Sequence, residues 1–229
     1  MKQQHLKKQA GFTILELMIA TLIVSVILLL VTTVMIGLQR LYYKGVSQEN
    51  VQDNVRTIID DVNQEIQTSN STPDVTWAPD IYRFNASFNN NPPTTYHVNA
   101  VCIGTVRYVY IVGLQVSTNS PLPANQIAQA LWRDTTPGGG CGSSVPQIDT
   151  ATPSDGGLGY VAAGSRLTAF QISLQSNGNY AVTVSIADGS DDLLNTNINT
   201  SNNVHCTGGS GDQFCATASL MTEVGQRVQ

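Results

Sequence analysis

Leu17–Leu38, LMIATLIVSVILLLVTTVMIGL, holds no charged residue and no proline. As a helix, a run of this length rises about 33 Å, enough to cross a hydrocarbon core of ~30 Å. A core helix of a soluble protein would show a polar face, and Thr21, Ser25, Thr32 and Thr33 do not amount to one. The segment reads as a membrane-spanning helix, the single one in the 229 residues. Ahead of it stands MKQQHLKKQAG, residues 1–11, basic through Lys2, Lys7 and Lys8 and free of acids. A secretory signal carries its small-residue cleavage site after the apolar region. Here the small pair Ala10-Gly11 comes before it, and Phe12-Thr13-Ile14-Leu15-Glu16 then places one carboxylate at the edge of the apolar run. Inserting such a group unpaired costs on the order of 3 kcal/mol, so Glu16 reads as functional.

KKQAG followed by FTILELMIATLIVSV resembles the prepilin leader of type IV pilins and type II secretion pseudopilins. The resemblance spans about residues 7–40, in the basic leader, the glycine, the phenylalanine and the glutamate. It implies that a prepilin peptidase cuts between Gly11 and Phe12 and N-methylates the new terminus at Phe12. It also implies that Glu16 neutralises the terminal amine of a neighbouring subunit's Phe12 during filament assembly. The physical sense is independent of the family. A cut before the apolar run leaves the anchor in the mature chain, and a carboxylate and an amine that are each unfavourable in lipid relieve one another by pairing. Residues 12 and 16 are also spaced i, i+4, so on one helix the pair could close within a subunit. Lys2, Lys7 and Lys8 face Arg40 and Lys44 across the span, a small bias for orientation. The resemblance puts the leader in the cytoplasm and the bulk of the chain outside.

From Gln39 to Thr68, Val51, Val55, Ile58, Ile59, Val62 and Ile66 recur at steps of three and four among Asp53, Arg56, Asp60, Asp61 and Glu65. This predicts an amphipathic helix with one stripe for packing on a domain, softened or kinked at Gly45 and stopped near Pro73. Strands are predicted over 100–113, 127–134, 167–174 and 180–187, each rich in β-branched or aromatic residues, with a further one from Cys215 to Val224. Asn177-Gly178 marks a hairpin between the third and fourth. The stretches 89–93, 135–157 and 188–211 read as polar loops. The expected fold is α+β: a cleaved leader (1–11), an anchor helix (12–38), a spine helix (39–68) and an extracytoplasmic head (69–229), with a mainly antiparallel sheet laid on the spine. This order resembles PilW-type minor pilins and J-type pseudopilins, including a pattern like Leu131-Trp132-Arg133-Asp134-Thr135 and an ending like Thr222-Glu223-Val224-Gly225-Gln226-Arg227.

Cys102, Cys141, Cys206 and Cys215 all lie beyond the anchor, and an even count in an exported head points to disulfides. Three pairings are open. Cys206–Cys215, closing CTGGSGDQFC, together with Cys102–Cys141 is the preferred one. A zinc site would recruit His97 or His205, but no C-x2-C spacing exists. Asp188, Asp191 and Asp192 are a candidate calcium cluster, although their spacing is not that of an EF-hand and a solvated acidic turn is the simpler reading. The Gly-rich stretches 137–140 and 156–159 lack the Lys-Ser/Thr of a phosphate loop. No Ser–His–Asp set assembles from the sequence, and Trp77 and Trp132 read as core anchors.

Only 12% of residues are charged, against about 25% in a typical soluble domain. Three of the eleven basic residues belong to the acid-free leader, so the remaining chain is more acidic than the net −5 of the whole. Arg83, Arg107, Arg133, Arg166 and Arg227 do not cluster, which disfavours nucleic acid as a partner. The expectation is a structural subunit and no enzyme: a prepilin, minor by resemblance, of a type IV pilus or related filament. It would wait in the inner membrane and assemble with other pilin subunits outside it. The alternatives are a pseudopilin of a secretion or DNA-uptake system and a tip adhesin. No cofactor is expected beyond the calcium candidate.

Overall fold

The structure is a computed structural model that describes residues 11–69, 72–73, 82–86, 94–116, 129–135, 160–190, 192–195, 204–209 and 211–227, with backbone alone at 82–86, 94–97 and 134–135. The elements in chain order are α1 (Ile14–Thr68), β1 (Tyr82–Ala86), β2 (Thr94–Ile103), β3 (Val106–Ile111), β4 (Leu131–Thr135), β5 (Ser165–Leu174), β6 (Tyr180–Asp188) and β7 (Ala216–Val224), with a 3-10 turn at Asp212–Phe214. The arrangement is α+β. The chain divides into two compact units, residues 1–42 and 43–229.

In the first unit α1 exposes every large apolar side chain from Phe12 to Leu41, and the helix is long and apolar enough to cross a membrane. The hydroxyls within it turn inward. Thr21 donates to the Met18 carbonyl at 2.9 Å, Ser25 to Thr21 at 2.7 Å and Thr33 to Leu30 at 2.8 Å. Each polar group is thus satisfied by its own backbone, as a lipid environment demands. That is why these residues do not build a polar face.

In the second unit α1 passes through Gly45 without interruption. A lone helical glycine costs about 1 kcal/mol against alanine, too little to stop a helix carried on both sides by good formers. The buried stripe is Val51, Val55, Ile58, Ile59, Val62 and Ile66. It meets one core built by two antiparallel sheets, four strands in the order β1-β2-β3-β4 and three in the order β5-β6-β7. Val101, Ile103, Tyr108, Tyr110 and Leu131 come from the first sheet, and Leu167, Phe170, Val182, Val184 and Ile186 from the second. Phe170 stands 5.0 Å from the Tyr110 ring and 6.1 Å from the Tyr108 ring, centroid to centroid, and joins the two sheets. The backbone stitches them as well, through Gly113 N–H to Leu167 at 2.8 Å and Val116 N–H to Ser165 at 2.9 Å.

The single strand expected over 100–113 is instead two. Ile103 faces Val106 across a tight turn at Gly104-Thr105, where Gly104 adopts φ 62, a left-handed value that other residues reach only at a cost. The apolar run hid the turn because both flanking strands are buried and read as continuous. The polar start of β2 and the short β1 carry too little hydrophobic alternation to announce themselves. The strand expected over 127–134 begins at Leu131, and residues 127–128 lie outside the described residues. The Asn-Gly turn is present, with Gly178 at φ 83 and Gln175 N–H bonded to Asn179 O at 2.8 Å.

Candidate functional site

The segment expected to be processed lies just before α1. Gly11 and Phe12 are exposed and lie before the helix, and a Cβ built on Gly11 would meet nothing within 4 Å. Of the expected leader, 1–11, residues 1–10 lie outside the described residues. Thr13 caps the helix. Glu16 Oε2 accepts from the Thr13 backbone N–H at 2.9 Å and from its hydroxyl at 2.9 Å, while the Glu16 N–H donates back to Thr13 Oγ1 at 3.3 Å. This is a reciprocal capping box, Thr-x-x-Glu, in which the acid also faces the positive end of the helix dipole. Because α1 begins at Ile14, residues 12 and 16 do not share a helix in the intact chain. Before cleavage Glu16 is engaged by Thr13 at i, i+3. Thr13 was legible in the sequence as a Ser/Thr three places before an acid at the head of an apolar run.

A second arrangement fastens the head to the spine. Asp61 and Glu65 sit one turn apart on α1 (i, i+4) and face β3 and β4. Asp61 Oδ2 accepts from the Tyr108 hydroxyl at 2.6 Å and the Tyr160 hydroxyl at 2.8 Å. Arg133 on β4 donates to Glu65 at 2.7 Å and lies 3.6 Å from Asp61 Oδ1. Burial, then the hydrogen bond to Asp61 and its charge, pushes the hydroxyl pKa of Tyr108 well above the ordinary phenol range. The same causes raise Tyr160, and burial raises Tyr110 to about 12. Burial works against the charge of Arg133, yet Tyr108, Asp61, Glu65 and Tyr160 outweigh it and hold the guanidinium charged. Neutral phenols and a paired arginine make a lock; they offer no free base or nucleophile.

The four cysteines separate into two places. Cys206 and Cys215 form a disulfide with Cα atoms 5.9 Å apart. Cys102 on β2 is also disulfide-bonded, and Cys141, its expected partner, lies outside the described residues. Within the stretch 188–211 the described residues pair with one another. Leu194 bridges Cys206, Asn195 N–H donates to His205 O at 2.9 Å, and Thr207 N–H donates to Leu193 O at 2.9 Å. Of the calcium candidates, Asp188 accepts from Ser47 at 2.7 Å, Asp192 accepts from Ser190, and Asp191 lies outside the described residues. No group of three metal-binding side chains comes together among the described residues. His205 lies 3.4 Å from the Asn195 amide, and His97 is placed by backbone alone on β2. Trp132 is buried on β4, whereas Trp77 lies outside the described residues.

Residues 6–32 match the family model of the prokaryotic N-terminal methylation motif, which makes this segment a type IV prepilin-like leader followed by the first part of the anchor. No curated protein and no solved structure matches the chain.

Proposed function

We propose that this chain is a structural subunit of a type IV pilus or a related filament, and a minor component of it. A prepilin peptidase cuts between Gly11 and Phe12 and methylates the Phe12 amine. The anchor holds the subunit in the inner membrane until assembly moves it into the extracytoplasmic filament. The observation that carries this reading is the methylation motif of residues 6–32, which overlaps the apolar first half of α1 in a chain that also carries an α+β unit.

Glu16 is the assembly residue. In the intact chain its carboxylate is occupied by Thr13. Cleavage creates a cationic amine at Phe12, and a neighbour's amine is a stronger partner in lipid than a neutral N–H and hydroxyl. The capping box therefore keeps the acid satisfied while the subunit waits and surrenders it to an ion pair when filaments form.

Gly11→Val tests the processing step: the uncleaved precursor should accumulate in the membrane, and a normally trimmed product would refute it. Deletion of the gene, scored in parallel for surface fibres, secretion and transformation, tests the system. Loss of fibres alone supports the pilus; loss of secretion or of DNA uptake alone assigns a pseudopilin role. Glu16→Ala subunits should be cleaved yet absent from filaments.

A further inference from the structure

We propose that Phe214 is an interfacial lipid anchor, seating the disulfide-closed loop 206–215 in the headgroup layer of the bilayer that holds the helix. This rests on the reading of α1 as membrane-spanning. Phe214 is 55% exposed and Tyr43 54% exposed, with ring centroids 6.0 Å apart. Isolated exposed apolar side chains are ordinary, but these are two aromatic rings side by side at one place on the chain. Tyr43 follows the last residue of the apolar run, Leu38, by five residues. Five helical residues rise about 7.5 Å, and the headgroup layer on each side of the hydrocarbon is ~5–8 Å thick. Aromatic rings concentrate at that depth because an apolar body and a wet edge suit it.

The mount is rigid. Phe214 closes the 3-10 turn with its N–H on Gly211 O at 2.8 Å, and the next residue is Cys215, tied to Cys206. Behind it Gly189 approaches so closely that a Cβ there would lie 3.3 Å from Phe214 O, at a φ of +134 that already favours glycine. The loop is pinned to α1 by Lys44 to Asp212, and the strand ends beside it are held to the next turn of α1 by Ser47 to Asp188 at 2.7 Å and Gln48 to Thr217 O at 3.0 Å. Asp212 is the one acid of the loop, and Lys44 compensates it. The loop thus brings an apolar tip with no uncompensated acid toward lipid, at low entropic cost because the turn that carries Phe214 is already hydrogen-bonded.

The full chain reconstituted in phosphatidylcholine vesicles tests this. Phe214→Trp, Val31→Trp and Leu174→Trp are compared with the wild type, whose Trp77 and Trp132 supply the background emission. Val31 lies inside the anchor, about 5 Å from the midpoint of the span. Leu174 is exposed but stands at the other end of the head, in register with Tyr180 and through it Val224, near where Gln226 reaches the Ser69 carbonyl. The lipid is brominated either near the glycerol or near the chain end. Phe214→Trp should emit to the blue and lose emission chiefly to the shallow bromines, Val31→Trp chiefly to the deep ones, and Leu174→Trp to neither. Quenching at Val31 without quenching at Phe214 overturns the proposal and leaves the anchor intact. No quenching at Val31 refutes the anchor itself and the proposal with it. A blue shift at Phe214 that grows with the protein-to-lipid ratio and ignores bromine assigns the patch to a second protein copy and likewise overturns it.

Discussion

Asp61→Ala isolates the lock between spine and head. The substitution removes the acceptor of the Tyr108 hydroxyl, held at 2.6 Å, on a side chain that is 1% exposed. A buried hydroxyl left without its charged partner costs about 2 kcal/mol. Tyr160, half-buried, also loses its 2.8 Å contact but can turn toward water, which adds about 1 kcal/mol. Arg133 keeps Glu65 at 2.7 Å and is about a third exposed, so its pairing with Asp61 adds little. The sum, about 3 kcal/mol, lowers the Tm of a head of this size by roughly 9 °C. Thermal melts of the full chain in detergent, followed by near-ultraviolet circular dichroism, measure it. The decisive comparison is Tyr108→Phe. In the wild type it should destabilise by about 1 kcal/mol, whereas in Asp61→Ala it removes an orphaned hydroxyl and should be neutral or stabilising. If Tyr108→Phe cost the same in both backgrounds, the two groups would not be coupled and the lock would be refuted.

Other perturbations read other parts of the structure. Tyr108, Tyr110 and Tyr160 have pKa values raised in the fold, so their contribution is complete below the unfolded phenol pKa near ~10 and declines as pH climbs above it, for Tyr110 until about 12. Each should give a loss of about 1.4 kcal/mol per pH unit in that window, and urea titrations between neutral and strongly alkaline pH should show a shallower decline for Tyr110→Phe. Cys206→Ser with Cys215→Ser opens a loop of sequence separation 9, worth about 2.7 kcal/mol in the chain-entropy account. Melts with and without reductant should then show less reductant sensitivity in the double variant than in the wild type. Gly178→Ala, at φ +83 with open space around the new methyl, should cost about 1 kcal/mol from backbone conformation alone, and an unchanged urea midpoint would contradict the left-handed turn.

Much of the architecture is local in origin and therefore legible in the chain. The anchor follows from a run of apolar residues long enough to span lipid, and the spine from six apolar positions at helical spacing, the same six that are buried. Glycine at Gly178 dictates its own turn. The leader, the glycine before the cut and Glu16 are a linear pattern, so they need no fold to be recognised. Thr13 belonged to that pattern too, since a capping box spans four residues.

What the tertiary structure alone decided are relations between residues far apart in sequence. The two sheets meet through Gly113 and Val116, just past β3, and through the rings around Phe170, contacts that no local periodicity encodes. Asp61 looked like one of several solvated acids on the spine's polar face, and only the approach of Tyr108, Tyr160 and Arg133 turned it into a lock. Asp188 read as part of an acidic turn, and only the fold brings the Ser47 hydroxyl of α1 to it. Phe214 lies beside Tyr43 because a disulfide closes its loop and Lys44 holds Asp212, with Ser47 and Gln48 holding the adjacent strands. Hydrophobic period and turn chemistry act over a few residues and are written in the chain; charge pairing and aromatic contact act through space, between residues that only the folded backbone brings together.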